Sequence, residues 1–146
     1  MTNLLLKLWT PVLVLLGITG MGQMPIFKRY YVADIPGLGW LGEPYIVHWI
    51  HYAAAALFIF LAAWFITIWI TERGKVTSTG WIRITLLALL IVTGYVRVIK
   101  NLPDVHFSPP VIMLIDWTHL FFAFLFGVVA LWSLLTGKRP YLRVRE

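Results

Sequence analysis

The sequence predicts an all-α membrane protein, a bundle of four transmembrane helices, and three observations carry that prediction. The chain has 146 residues, of which 60% are apolar and 12% charged, and its mean hydropathy is +0.84. That balance suits lipid rather than a water-soluble core. The apolar residues gather into four runs of about 20 residues, the length that crosses a hydrocarbon core. The two halves of the chain also align with each other, as two copies of one helical hairpin.

The first run, about 4–24, reads "LLLKLWTPVLVLLGITGMGQM". A secretory signal would also place a lysine ahead of an apolar run, but no small-x-small cleavage site follows, so this reads as a retained helix. Further runs occupy about 45–71, 81–100 and 112–136. A helix is the expected form for each, because backbone polar groups in lipid must be satisfied within their own segment. The connections differ: "PIFKRYYVADIPGLGWLGEP" is long and rich in Gly, Pro and aromatics, "ERGKVTSTG" is a short polar turn, and "KNLPDVHFSPP" is bracketed by prolines. The whole chain, 1–146, is expected to be a single membrane domain.

Lys7, Arg73, Lys75, Arg83, Lys138, Arg139, Arg143 and Arg145 fall on one side of these spans, against Lys28, Arg29, Arg97 and Lys100 on the other. The larger group marks the cytoplasmic side and puts both termini there. Tyr30, Tyr31, Trp40, Tyr45 and Trp81 stand at the predicted interfaces, where amphipathic rings settle. The net charge of +6 is spread around the spans and forms no patch with interleaved aromatics, which argues against nucleic acid as a partner. The absence of cysteine excludes a disulfide framework, a CxxCH haem attachment and any iron–sulfur cluster held by this chain.

Aligning His51 with His119 pairs Trp49/Trp117, Ala55/Ala123, Leu57/Leu125, Phe58/Phe126, Ala62/Ala130 and Trp64/Trp132, seven identities in 17 positions with the histidines included. Shared apolar composition alone would give roughly two or three. The preceding helices match at Leu13/Leu87, Leu15/Leu89, Leu16/Leu90, Thr19/Thr93 and Gly20/Gly94. In helical projection His51, Ala55, Phe58 and Ala62 share one stripe, as do His119, Ala123, Phe126 and Ala130. The repeat therefore preserves the face that carries the histidine. In parallel second and fourth helices, both histidines would lie about two turns below the outer surface and could face each other at one depth.

Ionisable side chains inside a membrane are costly and functional by default. Two imidazoles at one depth, small residues one turn below at Ala55 and Ala123, and an apolar slot are what a haem b held by two histidines requires. The prediction is one such haem, with His51 and His119 as axial ligands. Gly20 and Gly94 either let backbone approach a porphyrin edge or serve as small packing residues between helices. Arg97, Lys100, Lys28 and Arg29, on the outer side, either meet haem propionates or snorkel to the interface. For the histidines, the competing reading is a pair of independently hydrogen-bonded polar residues.

His48 and Asp116 occupy equivalent positions, three residues before each proposed ligand and about 60° around the helix. A hydrogen bond between them would orient a ligand, relay a proton from a quinol, or satisfy two polar groups. His48 also competes with His51 as the ligand itself. His106, in the outer connection, would be needed for a second haem with His48; loop ligands are held less well than helical ones, so a surface or partner-contact role is preferred for it.

With "LLGITGMGQMP" closing the first helix, a histidine near the outer start of the second, "LLIVTG" in the third and "LIDWTHLFFAFLF" opening the fourth, the chain resembles the membrane cytochrome b subunits of respiratory formate dehydrogenases and, more distantly, of nickel–iron hydrogenases. The resemblance covers about residues 7–137. It implies two haems stacked across the membrane, the outer one ligated from the second and fourth helices, here His51 and His119. The inner haem of that family takes a histidine early in the first helix and another about four turns beyond the outer ligand on the fourth. Here the first helix reads "LKLWTP" and Ser133 stands at the second position, so the resemblance implies a single-haem version.

The function expected is a haem b-containing anchor in a bacterial or archaeal cytoplasmic membrane. It would pass electrons between a periplasm-facing iron–sulfur subunit, attached to a catalytic subunit, and the quinone pool. It is an electron-transfer subunit rather than a stand-alone enzyme, and no catalytic residue is assigned. The alternatives are a haem-free anchor or assembly subunit, and a small proton-coupled transporter, in which His48, His51, Asp116 and His119 form a polar cluster.

Overall fold

The computed structural model describes residues 2–24, 34–72, 75–137 and 141–143. It is mainly helical, with α1 over Thr2–Gly22, α2 over Pro44–Glu72, α3 over Ser78–Ile99 and α4 over Pro109–Leu135. Among the described residues, three stretches, Pro44–Thr71, Ser78–Ile99 and Pro109–Leu135, are long and apolar enough to cross a membrane, while the apolar part of α1, Lys7–Gly22, is shorter. Lys28, Arg29, Tyr30 and Tyr31 of the first connection lie outside the described residues, as do Arg73, Lys138, Arg139 and Arg145.

Local chemistry sets the helix ends. The Thr77 hydroxyl accepts from the Gly80 N–H at 2.9 Å, capping α3 and starting it three residues before the predicted 81. Pro109 and Pro110 occupy the first turn of α4, where a missing N–H costs nothing. Pro11 lies within α1 and withholds one N–H from the ladder, an interruption membrane helices tolerate.

Two compact units divide the chain, Met1–Thr71 and Glu72–Glu146, one for each copy of the repeat. In the first, Val12 of α1 and Val47, Ala54, Phe58 and Leu61 of α2 are buried. The Trp9 ring lies 5.3 Å from Phe58 and meets Phe65 edge-on at 4.8 Å, a favoured aromatic geometry. The long connection contains a short 3-10 turn, Gly39–Gly42, with Leu41 buried. A Cβ on Gly22 would stand 3.2 Å from the Leu41 side chain and 3.4 Å from that of Val47, so glycine lets this turn close against the end of α1.

In the second unit Leu86 and Leu87 are buried, and the two ends of the unit are tied together. Strand β1, Lys75–Val76, pairs antiparallel with β2, Leu142–Arg143, and the Thr77 N–H donates to the Tyr141 carbonyl at 3.0 Å. The buried Arg83 lays its guanidinium over the Tyr141 ring, 3.9 Å from the centroid. Large apolar side chains such as Phe60, Ile70, Val92, Phe124 and Leu131 are exposed on the helix surfaces, an arrangement that water disfavours and lipid does not.

Candidate functional site

Each hairpin closes around its histidine, and the two closures match atom for atom. In the first unit the Nδ1 of His51 lies 2.9 Å from the hydroxyl oxygen of Thr19, which is fully buried. In the second, the Nδ1 of His119 lies 2.8 Å from the Thr93 hydroxyl oxygen. Each hydroxyl also donates to its own helix one turn back, Thr19 to the Leu15 carbonyl at 2.7 Å and Thr93 to the Leu89 carbonyl at 2.8 Å.

The adjoining glycine makes room for the ring. A Cβ on Gly20 would stand 3.4 Å from the Cε1 of His51, and one on Gly94 would stand 3.3 Å from the Cε1 of His119. A methyl group would already be in contact with each ring, and a side chain longer than alanine would have to displace it. Gly20 and Gly94 thus have an imidazole as their immediate neighbour, a nearer role than approach to a porphyrin edge. The histidine-bearing stripe of α2 also faces α1, since Phe58 meets Trp9 as His51 meets Thr19.

One turn further out the two copies diverge. Asp116 takes its partners from its own hairpin: its Oδ1 accepts from the Arg97 Nε at 2.9 Å, and both carboxylate oxygens accept from the Lys100 Nζ at 2.6 Å. Arg97 and Lys100, expected at haem propionates or at the interface, are held by a carboxylate. In the first hairpin, His48 Nδ1 donates to the Pro44 carbonyl at 3.0 Å; this carbonyl accepts only, so the ring proton is on Nδ1. Gln23, at the register of Arg97, donates to the Thr19 carbonyl at 3.3 Å. Among the described residues, the outer turn is held by bonds to backbone carbonyls in the first copy and by an ion pair in the second.

His106 is exposed in the connection between α3 and α4, and Ser133, at the position where the resemblance would have a second ligand, is buried. No cluster of three or more His, Cys, Asp or Glu suited to a metal ion occurs among the described residues. The candidate ligands are therefore single imidazoles, one per hairpin. The donor chemistry of each fits a metal ligand: an imidazole whose Nδ1 is engaged by a neighbouring group is oriented as metal-ligating histidines are.

The threonines that hold the imidazoles were given no role in the sequence reading. They stand in the aligned repeat beside the glycines that attracted attention, and an identity at a polar position inside an apolar helix was the available signal. In comparisons with protein-family models, curated proteins and solved structures, nothing matches this chain.

Proposed function

We propose that the chain is a haem b-binding membrane anchor and electron-transfer subunit of a respiratory oxidoreductase complex, with His51 and His119 as the axial ligands of one haem. The observation that carries this reading is the duplicated Thr–Gly–His unit, in which each imidazole is held through Nδ1 at 2.9 and 2.8 Å. Both histidines are therefore presented in the same way by their own hairpins, as a matched pair of ligands would be. Haem, when bound, supplies a one-electron iron couple. The chain's own residues set the depth and orientation of the ligands and surround them with apolar side chains. Arg97 and Lys100 together carry two positive charges against the single negative charge of Asp116, leaving one positive charge to meet a propionate.

On this reading the chain crosses a bacterial or archaeal cytoplasmic membrane four times with both termini inside, as its Lys and Arg distribution favours. Its partners are a periplasm-facing iron–sulfur subunit, the catalytic subunit behind it, and quinone or quinol. With a single haem near the outer face, either quinone binds close to that haem or another subunit supplies the next centre.

A second reading is a haem-free anchor or assembly subunit. It is favoured by the same bonds, because each histidine already has a partner within its own hairpin. A reduced-minus-oxidised visible spectrum with pyridine haemochrome quantification on detergent-purified protein separates the two. One haem b per chain, lost in His51→Ala and His119→Ala, is the expected result. Colourless protein from a haem-replete host overturns it and favours the haem-free anchor.

A further inference from the structure

We infer that Thr19 and Thr93 are positioning residues that fix His51 and His119 in the tautomer with the proton on Nδ1 and the lone pair on Nε2. A hydroxyl has one proton to give. In Thr19 it goes to the Leu15 carbonyl, and in Thr93 to the Leu89 carbonyl, at 2.7 and 2.8 Å, the separation typical of O–H···O bonds. Each carbonyl can only accept, so sending the hydroxyl proton to the imidazole instead would leave two oxygens in close contact with no proton between them. Toward the imidazole each threonine therefore accepts, and the Nδ1–H donates, at 2.9 and 2.8 Å.

The consequence for ligation rests on the haem reading; the tautomer itself does not. With Nδ1 protonated, Nε2 is the ring's ligating atom in both hairpins. A neutral hydroxyl acceptor, unlike a carboxylate, does not draw the ring toward imidazolate, so both ligands bind as neutral imidazoles of matched strength. The outer threonines thereby set the donor strength of the axial ligands as well as their orientation.

The test is 15N NMR of the full-length protein, labelled at histidine, in detergent at about pH 8 where imidazoles are neutral, prepared without haem. The expected result is a protonated Nδ1 and an unprotonated Nε2 at both His51 and His119. Thr93→Val, which keeps the shape and removes the acceptor, should shift His119 toward the Nε2-protonated form, and Thr93→Ser should restore it. An Nε2-protonated His51 or His119 in the wild-type protein overturns the inference even if the valine variant fails to fold, and an unchanged tautomer in a folded Thr93→Val overturns it as well. In haem-loaded protein, Thr93→Val should weaken haem retention by about 10–100-fold and move the low-spin ferric EPR signal, while Thr93→Ser does neither. Protein that takes up no haem yet shows the Nδ1-protonated rings would sink the haem reading and leave the tautomer assignment standing.

Discussion

Gly94 and His119 are in direct apposition: the α-carbon of one helix lies so close to the imidazole of the next that a single methyl group would come within 3.3 Å of Cε1. The same relationship joins Gly20 to His51 at 3.4 Å. Neither glycine is at a turn, so its use is steric rather than conformational.

The first prediction concerns that spacing. In Gly94→Ala the crowding cost, about 1–3 kcal/mol for overpacking, is opposed by a helix-propensity gain of about 1 kcal/mol. Thermal stability should fall by no more than about 2 kcal/mol, while the His119 ring moves off Thr93. Gly94→Leu gains a similar propensity but crowds the ring far more, and on the haem reading it should lose haem altogether. Melting in detergent together with haem content per chain checks both, and equal stability of the leucine variant with full haem would contradict the geometry.

Removing the charge of Asp116 should be felt by two cations together. Asp116→Asn leaves Arg97 and Lys100 without their carboxylate, and hydrogen bonds to charged groups contribute about 1.5–3 kcal/mol when buried. Asp116 is 37% exposed, so solvent screening reduces the expected loss to about 1–2 kcal/mol. The double variant Arg97→Gln/Asp116→Asn should lose less than the sum of the single variants. Chemical denaturation of all three, compared as a cycle, gives the coupling; strict additivity would show that the ion pair contributes nothing.

Gly80 holds the C-terminal tail in place. A Cβ there would stand 2.5 Å from the Tyr141 carbonyl oxygen, an approach backbone atoms cannot make. Gly80→Ala should therefore detach the tail, breaking the pairing of Leu142–Arg143 with Lys75–Val76 and the stacking of Arg83 on Tyr141. Hydrogen exchange at Thr77 and faster proteolysis beyond Leu135 report the release, with the His119–Thr93 contact unaffected.

Trp64 presents the opposite case. Its indole nitrogen is buried with no hydrogen-bond partner among the described residues, and an unmade hydrogen bond is a cost already present in the folded state. Trp64→Phe removes that cost along with some apolar contact, so stability should change by less than about 1 kcal/mol. A loss of several kcal/mol would mean that the indole N–H has a partner in the membrane.

Helix number, helix type and the histidine positions were readable in the sequence because apolar run length and the duplicated pattern are strong signals. The Thr–His contacts were not. Thr19 and His51 are 32 residues apart, whereas Thr93 and His119 are 26 apart, and only the folded connections bring both pairs into one register. The contacts of Asp116 within its own hairpin were not read either: equivalence within the repeat pointed to His48, whereas Arg97 in the last turn of α3 and Lys100 at its cap, three residues apart and so on one face, both reach the carboxylate. The tail strand, two residues long, carries too little pattern to be read at all. The first helix reads as a span in the sequence, and among the described residues its apolar part is Lys7–Gly22.

The confinement of each Thr–His contact to a single hairpin also bears on how the chain is made. A nascent hairpin leaving the insertion machinery must bring its imidazole into lipid, where an unsatisfied N–H costs several kcal/mol. In the four-span anchor proposed above, Thr19 would already be in the bilayer when His51 arrives, and Thr93 would precede His119 in the same way. The earlier helix of each pair thus receives the ring of the later one, and neither histidine has to wait for the other half of the protein to be synthesised.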